Sequence, residues 1–214
     1  LAAITLIAEA FIPAGGRAVV QHDAYGGTWR LFAFLAEQGR FDVDFVDFND
    51  VEAFQAALGR KPAVVWVETP SNPLLRITDI AAASAAAHEA GALVVADNTF
   101  LSPLLQRPLE QGADLVVHST TKFLNGHSDV VGGAVIASTQ EQHERLRLWG
   151  NALGLTAGAF DSYLTLRGIR TLDARLRVHQ ENTAALVEVL RAHPVVERLH
   201  YPGLPDHPGH EIAA

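Results

Sequence analysis

Of the 16 Lys and Arg residues in this chain, only Lys61 and Lys122 are lysines. Lys61 sits in the turn Gly59-Arg60-Lys61-Pro62, where a solvated cation needs no special explanation. Lys122 closes the run His118-Ser119-Thr120-Thr121-Lys122, directly after the apolar stretch Asp114-Leu115-Val116-Val117. Arginine keeps its proton in a protein, whereas a lysine amine can become a free nucleophile or form a Schiff base. Ser119 and Thr121 precede it, and hydroxyls at a strand end are common phosphate ligands. An amine beside a phosphate site points to pyridoxal 5'-phosphate.

That cofactor makes four physical demands, and the chain offers a residue for each. Its pyridine nitrogen must stay protonated for the ring to act as an electron sink, which a buried carboxylate achieves. Asp97, at the end of an Ala, Leu and Val run, is the candidate, although an aspartate there could equally cap the next turn. The phosphate calls for hydroxyls and for backbone N–H groups at a helix N-terminus. Ser119 and Thr121 are candidates for the hydroxyls, a common feature of strand ends, and the helical segment that starts at Leu1 could supply the N–H groups. The ring face calls for an aromatic cover, for which Tyr25 in its Gly-flanked loop is suited, although taken alone it can equally be an ordinary loop tyrosine. The phenolic oxygen O3' calls for a neutral donor. Asn72, between Ser71 and Pro73, can serve, or can be an ordinary turn residue.

Short apolar runs alternate with segments of helical period and must position these groups. The strands expected are Ala18–Gln21, Val43–Val46, Ala63–Val67, Leu93–Ala96, Leu115–His118 and Gly133–Ala137. They are continuous apolar runs, as for strands buried on both faces. Helices are expected over Thr28–Glu37, Val51–Leu58, Ile80–Ala90 and Pro103–Gln111, with Asn49 and Glu52 capping the second. This alternation predicts an α/β fold with a mostly parallel sheet flanked by helices. From Gln140 the strands cease and two or three long helices follow, the last over about Leu172–Leu190. Ligands of open parallel sheets bind beyond the strands' carboxyl ends. The polar residues that follow the strands are therefore expected on one rim.

The composition, 49% apolar and 19% charged, is that of a globular domain. A net charge of −8 disfavours nucleic acid and anionic membrane surfaces as partners. No apolar run reaches bilayer length. The absence of cysteine excludes disulfides and thiolate metal sites and fits a cytoplasmic protein. His118, His127, His207 and His210 lack acidic partners at helical spacing and are read as solvated or packing residues. There is no G-x-G-x-x-G and no P-loop to support a nucleotide-binding domain. The chain opens inside a helical pattern at Leu1 and stops at Ala214 with no helix stop signal. An internal piece of a longer subunit is expected, inactive alone and prone to aggregate.

Four stretches carry a resemblance: HDAYGGTWRLF (22–32), VETPSNPLLRITDI (67–80), VVADNTFLSPLLQRPLEQGADLVVHSTTKFLNGHSDVVGG (94–133) and FDSYLTLRGIRTL (160–172). In this order they resemble the cystathionine γ-synthase branch of the Cys/Met-metabolism enzymes, and the likeness extends to PVVERLHYPGLPDHPGHEIAA at the end. The S-x-T-K-x-x-N-G-H-x-D block is its most specific part. The resemblance implies a pyridoxal-phosphate enzyme of fold type I, the aspartate-aminotransferase-like fold. Residues 1–172 would form an incomplete large domain and residues 173–214 the start of the C-terminal domain. Lys122 would hold the cofactor and shuttle protons, and Asp97 would pair with the pyridine nitrogen. Tyr25 would stack on the ring and assist proton transfer. Ser119 and Thr121 would bind phosphate, Asn72 would bind O3', and Thr99 and Glu68 would lie near the ring. Leu1 falls where the family has the methionine of a phosphate-binding Gly-Met pair, a backbone contact.

The implied reaction is γ-replacement: O-succinyl- or O-acetyl-homoserine and cysteine give cystathionine. Cystathionine γ-lyase and O-acyl-homoserine sulfhydrylase share these motifs, while YGGTWRLF, SNPLLR and AFDSYLTLRG favour the synthase. Methionine γ-lyase fits less well, since that activity goes with an active-site cysteine. The resemblance further implies a homotetramer built of tight dimers with shared sites and small amino-acid substrates as partners. The neighbour-donated Tyr-x-Arg element and the arginine for the substrate carboxylate would lie outside this chain.

Overall fold

A computed structural model describes residues 1–213, and Ala214 lies outside the described residues. Six strands form one sheet: β1 (Arg17–Gln21), β2 (Asp42–Val46), β3 (Val64–Glu68), β4 (Leu93–Asp97), β5 (Leu115–Ser119) and β6 (Gly133–Ala137). Their order is β2-β1-β3-β4-β5-β6. The first five strands in that order run parallel, and β6 returns antiparallel to β5. All six expected strands form, within a residue or so at their ends.

Successive side chains of a strand point to opposite faces, so each strand feeds two cores. Val20, Trp66, Val95 and Val117 face one of them. It is closed by α1 (Ala2–Phe11), α2 (Gly26–Glu37) and α6 (Gln140–Leu153). Val19, Val65, Val67, Val94 and Ala96 face the other, covered by α3 (Val51–Leu58) and α4 (Ile80–Glu89). The central strands are therefore apolar on both faces up to their polar ends, and Val64 to Val67 are fully buried. α1 buries Ile4, Ile7, Ala8 and Phe11, the i, i+3, i+4, i+7 stripe of a helix lying on a sheet. Arg145 of α6 ties down its far end, donating to Ala10 O at 2.6 Å over the Phe11 ring.

Two expectations need correction. Asp50, not Asn49, caps α3: its carboxylate accepts from Ala53 N at 3.0 Å. Asn49 is used one residue earlier, where its backbone N–H donates to Asp47 Oδ1. The helix expected over Pro103–Gln111 is two pieces, α5 (Ser102–Leu105) and a 3-10 turn (Pro108–Gln111). Gln106 is extended between them, and Pro108 has no N–H to continue the ladder. The buried Asn98 amide fixes the break by donating to the Ser102 and Gln106 carbonyls. After β6 come three long helices, α6, α7 (Ala159–Ile169) and α8 (Leu172–Arg191), and a final short turn, α9 (His210–Ala213). Thr139 and Gln142 open α6 with a reciprocal capping box.

Candidate active site

Strand alternation decides which polar ends meet. Glu68, Asp97 and Ser119 have the same parity as Trp66, Val95 and Val117, so all three emerge on the face covered by α1. Glu68 and Asp97 are direct cross-strand partners. These three strand ends of the expected rim therefore share one face. His118 has the opposite parity and turns away from it. Burial pushes its imidazole down to about 4, so it is a neutral packing residue near neutral pH. Among the described residues no cluster of His, Asp or Glu could hold a metal ion.

Asp97 is buried, and Oδ1 accepts both the Thr99 backbone N–H at 3.0 Å and the Thr99 hydroxyl at 2.5 Å. Burial raises its pKa above the ordinary aspartate value, and the two Thr99 bonds oppose that rise. Oδ2 accepts no hydrogen bond from the described residues. The Thr99 oxygen in turn accepts from Ser119 N at 2.8 Å. Thr99 thus acts through Asp97, coupling the acid to the start of the lysine turn, with its hydroxyl already engaged.

Lys122 follows β5 in a turn that is closed three times. Lys122 N donates to Ser119 O at 3.2 Å, Asn125 N to Thr120 O at 3.0 Å, and Gly126 N to Lys122 O at 2.8 Å. Asn125 is buried and its amide donates to Asp129 Oδ1 at 2.7 Å. From outside, Arg175 of α8 donates to Phe123 O at 2.9 Å and to Gly168 O at 2.8 Å. Gly168 is required by packing: a Cβ there would stand 2.1 Å from Asn125 O. The backbone of Lys122 is therefore anchored on two helices while its side chain stays exposed. The sequence reading missed this clamp. Its one legible sign is a glycine inside the helical pattern Leu166-Arg167-Gly168-Ile169.

The other expected residues surround this centre. Leu1 is the N-cap of α1, whose first N–H groups have no partner within the helix. Ala3, in the same turn, abuts Gly133 at the start of β6. The Ser119 hydroxyl makes no hydrogen bond with the described residues, whereas the Thr121 hydroxyl exchanges bonds with Gly132 N and O at 3.0 and 3.3 Å. Asn72 lies exposed on the loop after β3. That loop is held to the one after β1 by Ser71 Oγ, which donates to Asp23 Oδ2 at 2.6 Å. Tyr25, at the N-cap of α2, is half exposed, and its backbone N–H donates to Glu68 Oε2 at 2.6 Å.

This arrangement suits pyridoxal 5'-phosphate. Asp97 and Glu68 are neighbouring buried carboxyls, and Asp97 keeps one oxygen open to a cationic ring nitrogen. The unengaged Ser119 hydroxyl and the start of α1 offer donors to an anion on the same face. Lys122 stands just beyond β5.

Burial, with the charges of Asp97 and Asp23 nearby, pushes the Glu68 carboxyl up to about 8. The folded chain then keeps a proton that the unfolded chain releases above its ordinary value of 4.5. The stability Glu68 contributes is fully present below that value and is lost as pH rises through about 8. Glu68→Gln keeps an acceptor for Tyr25 N and has no proton to lose. In the full-length, cofactor-free protein its Tm advantage over wild type is expected to grow by roughly 5 °C from pH 5 to pH 8. Calorimetry showing a flat or shrinking difference would mean that Glu68 is ionised in the folded protein.

Residues 1–214 match the Cys/Met metabolism PLP-dependent enzyme family. The chain belongs to this family, whose members use pyridoxal 5'-phosphate. It is 53% identical over 214 residues to cystathionine gamma-synthase of Escherichia coli (strain K12), covering 100% of this chain and 55% of that protein. It is 46% identical over 215 residues to cystathionine beta-lyase of Coxiella burnetii, with the same two coverages, 100% and 55%. Crystal structures of cystathionine gamma synthase from Xanthomonas oryzae pv. oryzae superpose with a TM-score of 0.98 at 57% identity. They cover 99% of this chain and 55% of theirs. One holds aminoacrylate and cysteine and the other cystathionine. The chain thus spans about half the length of the relatives it matches.

Proposed function

We propose that the protein joins an O-acylated homoserine to cysteine, releasing the carboxylic acid and giving cystathionine. The observation that carries this reading is the shared face of Asp97, Ser119 and the α1 N-terminus, with Lys122 just beyond, in a chain 57% identical to a synthase structure bound to cystathionine. Pyridoxal 5'-phosphate, when bound, supplies the electron sink that makes the substrate's Cα and Cβ protons acidic. Asp97 Oδ2 holds the proton on the ring nitrogen, kept in place by the Thr99 bonds on its other oxygen. The Lys122 amine anchors the cofactor and, once released, accepts the Cα proton of the substrate. Ser119, Thr121 and the α1 N-terminus at Leu1 bind the phosphate, and Asn72 donates to O3'. Tyr25 covers the ring and assists proton transfer. Loss of the Cβ proton would let succinate or acetate depart from Cγ, the cysteine thiolate would add there, and protons would return to Cβ and Cα.

We further assign residues 1–172 to the cofactor-binding large domain and 173–214 to the start of a second. Supporting this, Leu172 and Leu176 of α8 form a small cluster with Leu124, apart from both sheet cores. A homotetramer of dimers with shared sites is supported by α7, which exposes Phe160 (71%), Tyr163 (60%) and Leu166 (55%). A cytoplasmic location agrees with a chain free of cysteine. No described helix is long and apolar enough to cross a membrane.

The test is product analysis with the full-length protein. O-succinyl- or O-acetyl-homoserine plus cysteine is expected to yield cystathionine, with one acyl group preferred. Likeness to a beta-lyase makes cystathionine itself the necessary second substrate. Cleavage of cystathionine without its formation, or use of sulfide in place of cysteine, would assign the protein to a lyase or a sulfhydrylase.

A further inference from the structure

We infer that Glu68 is a positioning residue that holds Tyr25 over the cofactor's seat. The ring-covering role of Tyr25 belongs to the reading above, and this inference rests on it. Tyr25 has little else to fix it. It is the N-cap of α2 with no side-chain cap of its own, and the residue is 49% exposed. No aromatic ring among the described residues stacks on it. Its backbone is pinned at a single distant point, the 2.6 Å bond from Tyr25 N to Glu68 Oε2, 43 residues away in sequence. A tertiary carboxyl thus does what the N3 glutamate of a capping box does elsewhere, accepting the N–H of the N-cap residue.

Glu68 is itself rigid. It is 6% exposed, sits at the last position of β3 opposite Asp97, and donates its own N–H to Gln21 Oε1 at 3.1 Å. The Tyr25 ring folds back over Gly27, where a Cβ would stand 2.4 Å from the ring edge. Backbone pin and glycine together set the ring's direction. Because burial pushes Glu68 up to about 8, its acceptor near neutral pH is the oxygen of a neutral acid, which a glutamine amide reproduces.

The test is a double-mutant cycle on cofactor affinity in the full-length, cofactor-free protein, read by quenching of tryptophan fluorescence on titration with pyridoxal 5'-phosphate. Tyr25→Ala and Glu68→Ala are each expected to weaken binding about tenfold, the order of one lost aromatic contact. The double variant is expected to lose about tenfold as well, not about a hundredfold, because both changes remove the same contact. Glu68→Gln should recover most of the loss. Additive losses, an unaffected Glu68→Ala, or a Glu68→Gln that binds as poorly as Glu68→Ala would each overturn the inference. A Tyr25→Ala protein that binds normally would instead remove the ring-cover role, and with it the premise.

Discussion

Lys122→Ala in the full-length protein is expected to abolish both turnover and the visible absorbance of lysine-bound cofactor, while leaving the fold intact. The loss should exceed about a thousandfold, since one side chain is asked both to anchor the cofactor and to move the Cα proton. The fold should survive because the turn is held by backbone bonds and by Arg175, none of which uses the lysine side chain. The measurement is steady-state turnover alongside absorbance and far-ultraviolet circular dichroism. A variant that keeps absorbance and activity would take Lys122 out of the mechanism.

Asp97→Asn is expected to lower kcat by about a hundredfold or more while cofactor occupancy falls far less. The amide is nearly isosteric and can keep accepting from Thr99 through Oδ1. What it lacks is the negative charge that keeps the ring nitrogen protonated, and in a buried site that charge is felt strongly. Its new N–H group would also favour the unprotonated nitrogen. Comparing kcat with the bound-cofactor ratio separates these effects. Near-normal turnover at full occupancy would make Asp97 a structural acid.

The sheet was legible because its strands are buried on both faces. Runs such as Val64-Val65-Trp66-Val67 admit few other placements, and a polar residue ends the β3 and β4 runs at the sheet's carboxyl edge. Lys122 stood out because the chain uses arginine almost everywhere else. What could not be read were contacts made across long sequence separations. Nothing near Arg175 shows that it grips Phe123 O, 52 residues away, and nothing near Tyr25 shows that Glu68 holds its N–H. The α3 cap was misplaced by one residue because Asn49 and Asp50 are both good caps, and tertiary geometry chose between them. The Pro103–Gln111 segment broke because Asn98, in the loop just after β4, donates to the Ser102 and Gln106 carbonyls.

The central claim is that Lys122 is the cofactor's anchor, and covalent trapping tests it most directly. The full-length protein, loaded with pyridoxal 5'-phosphate, is reduced with borohydride, digested and mapped by mass spectrometry. The account predicts a phosphopyridoxyl group on the peptide that contains Ser119-Thr120-Thr121-Lys122, and its disappearance in Lys122→Ala. A label on Lys61 or another lysine, with Lys122 unmodified, would contradict it.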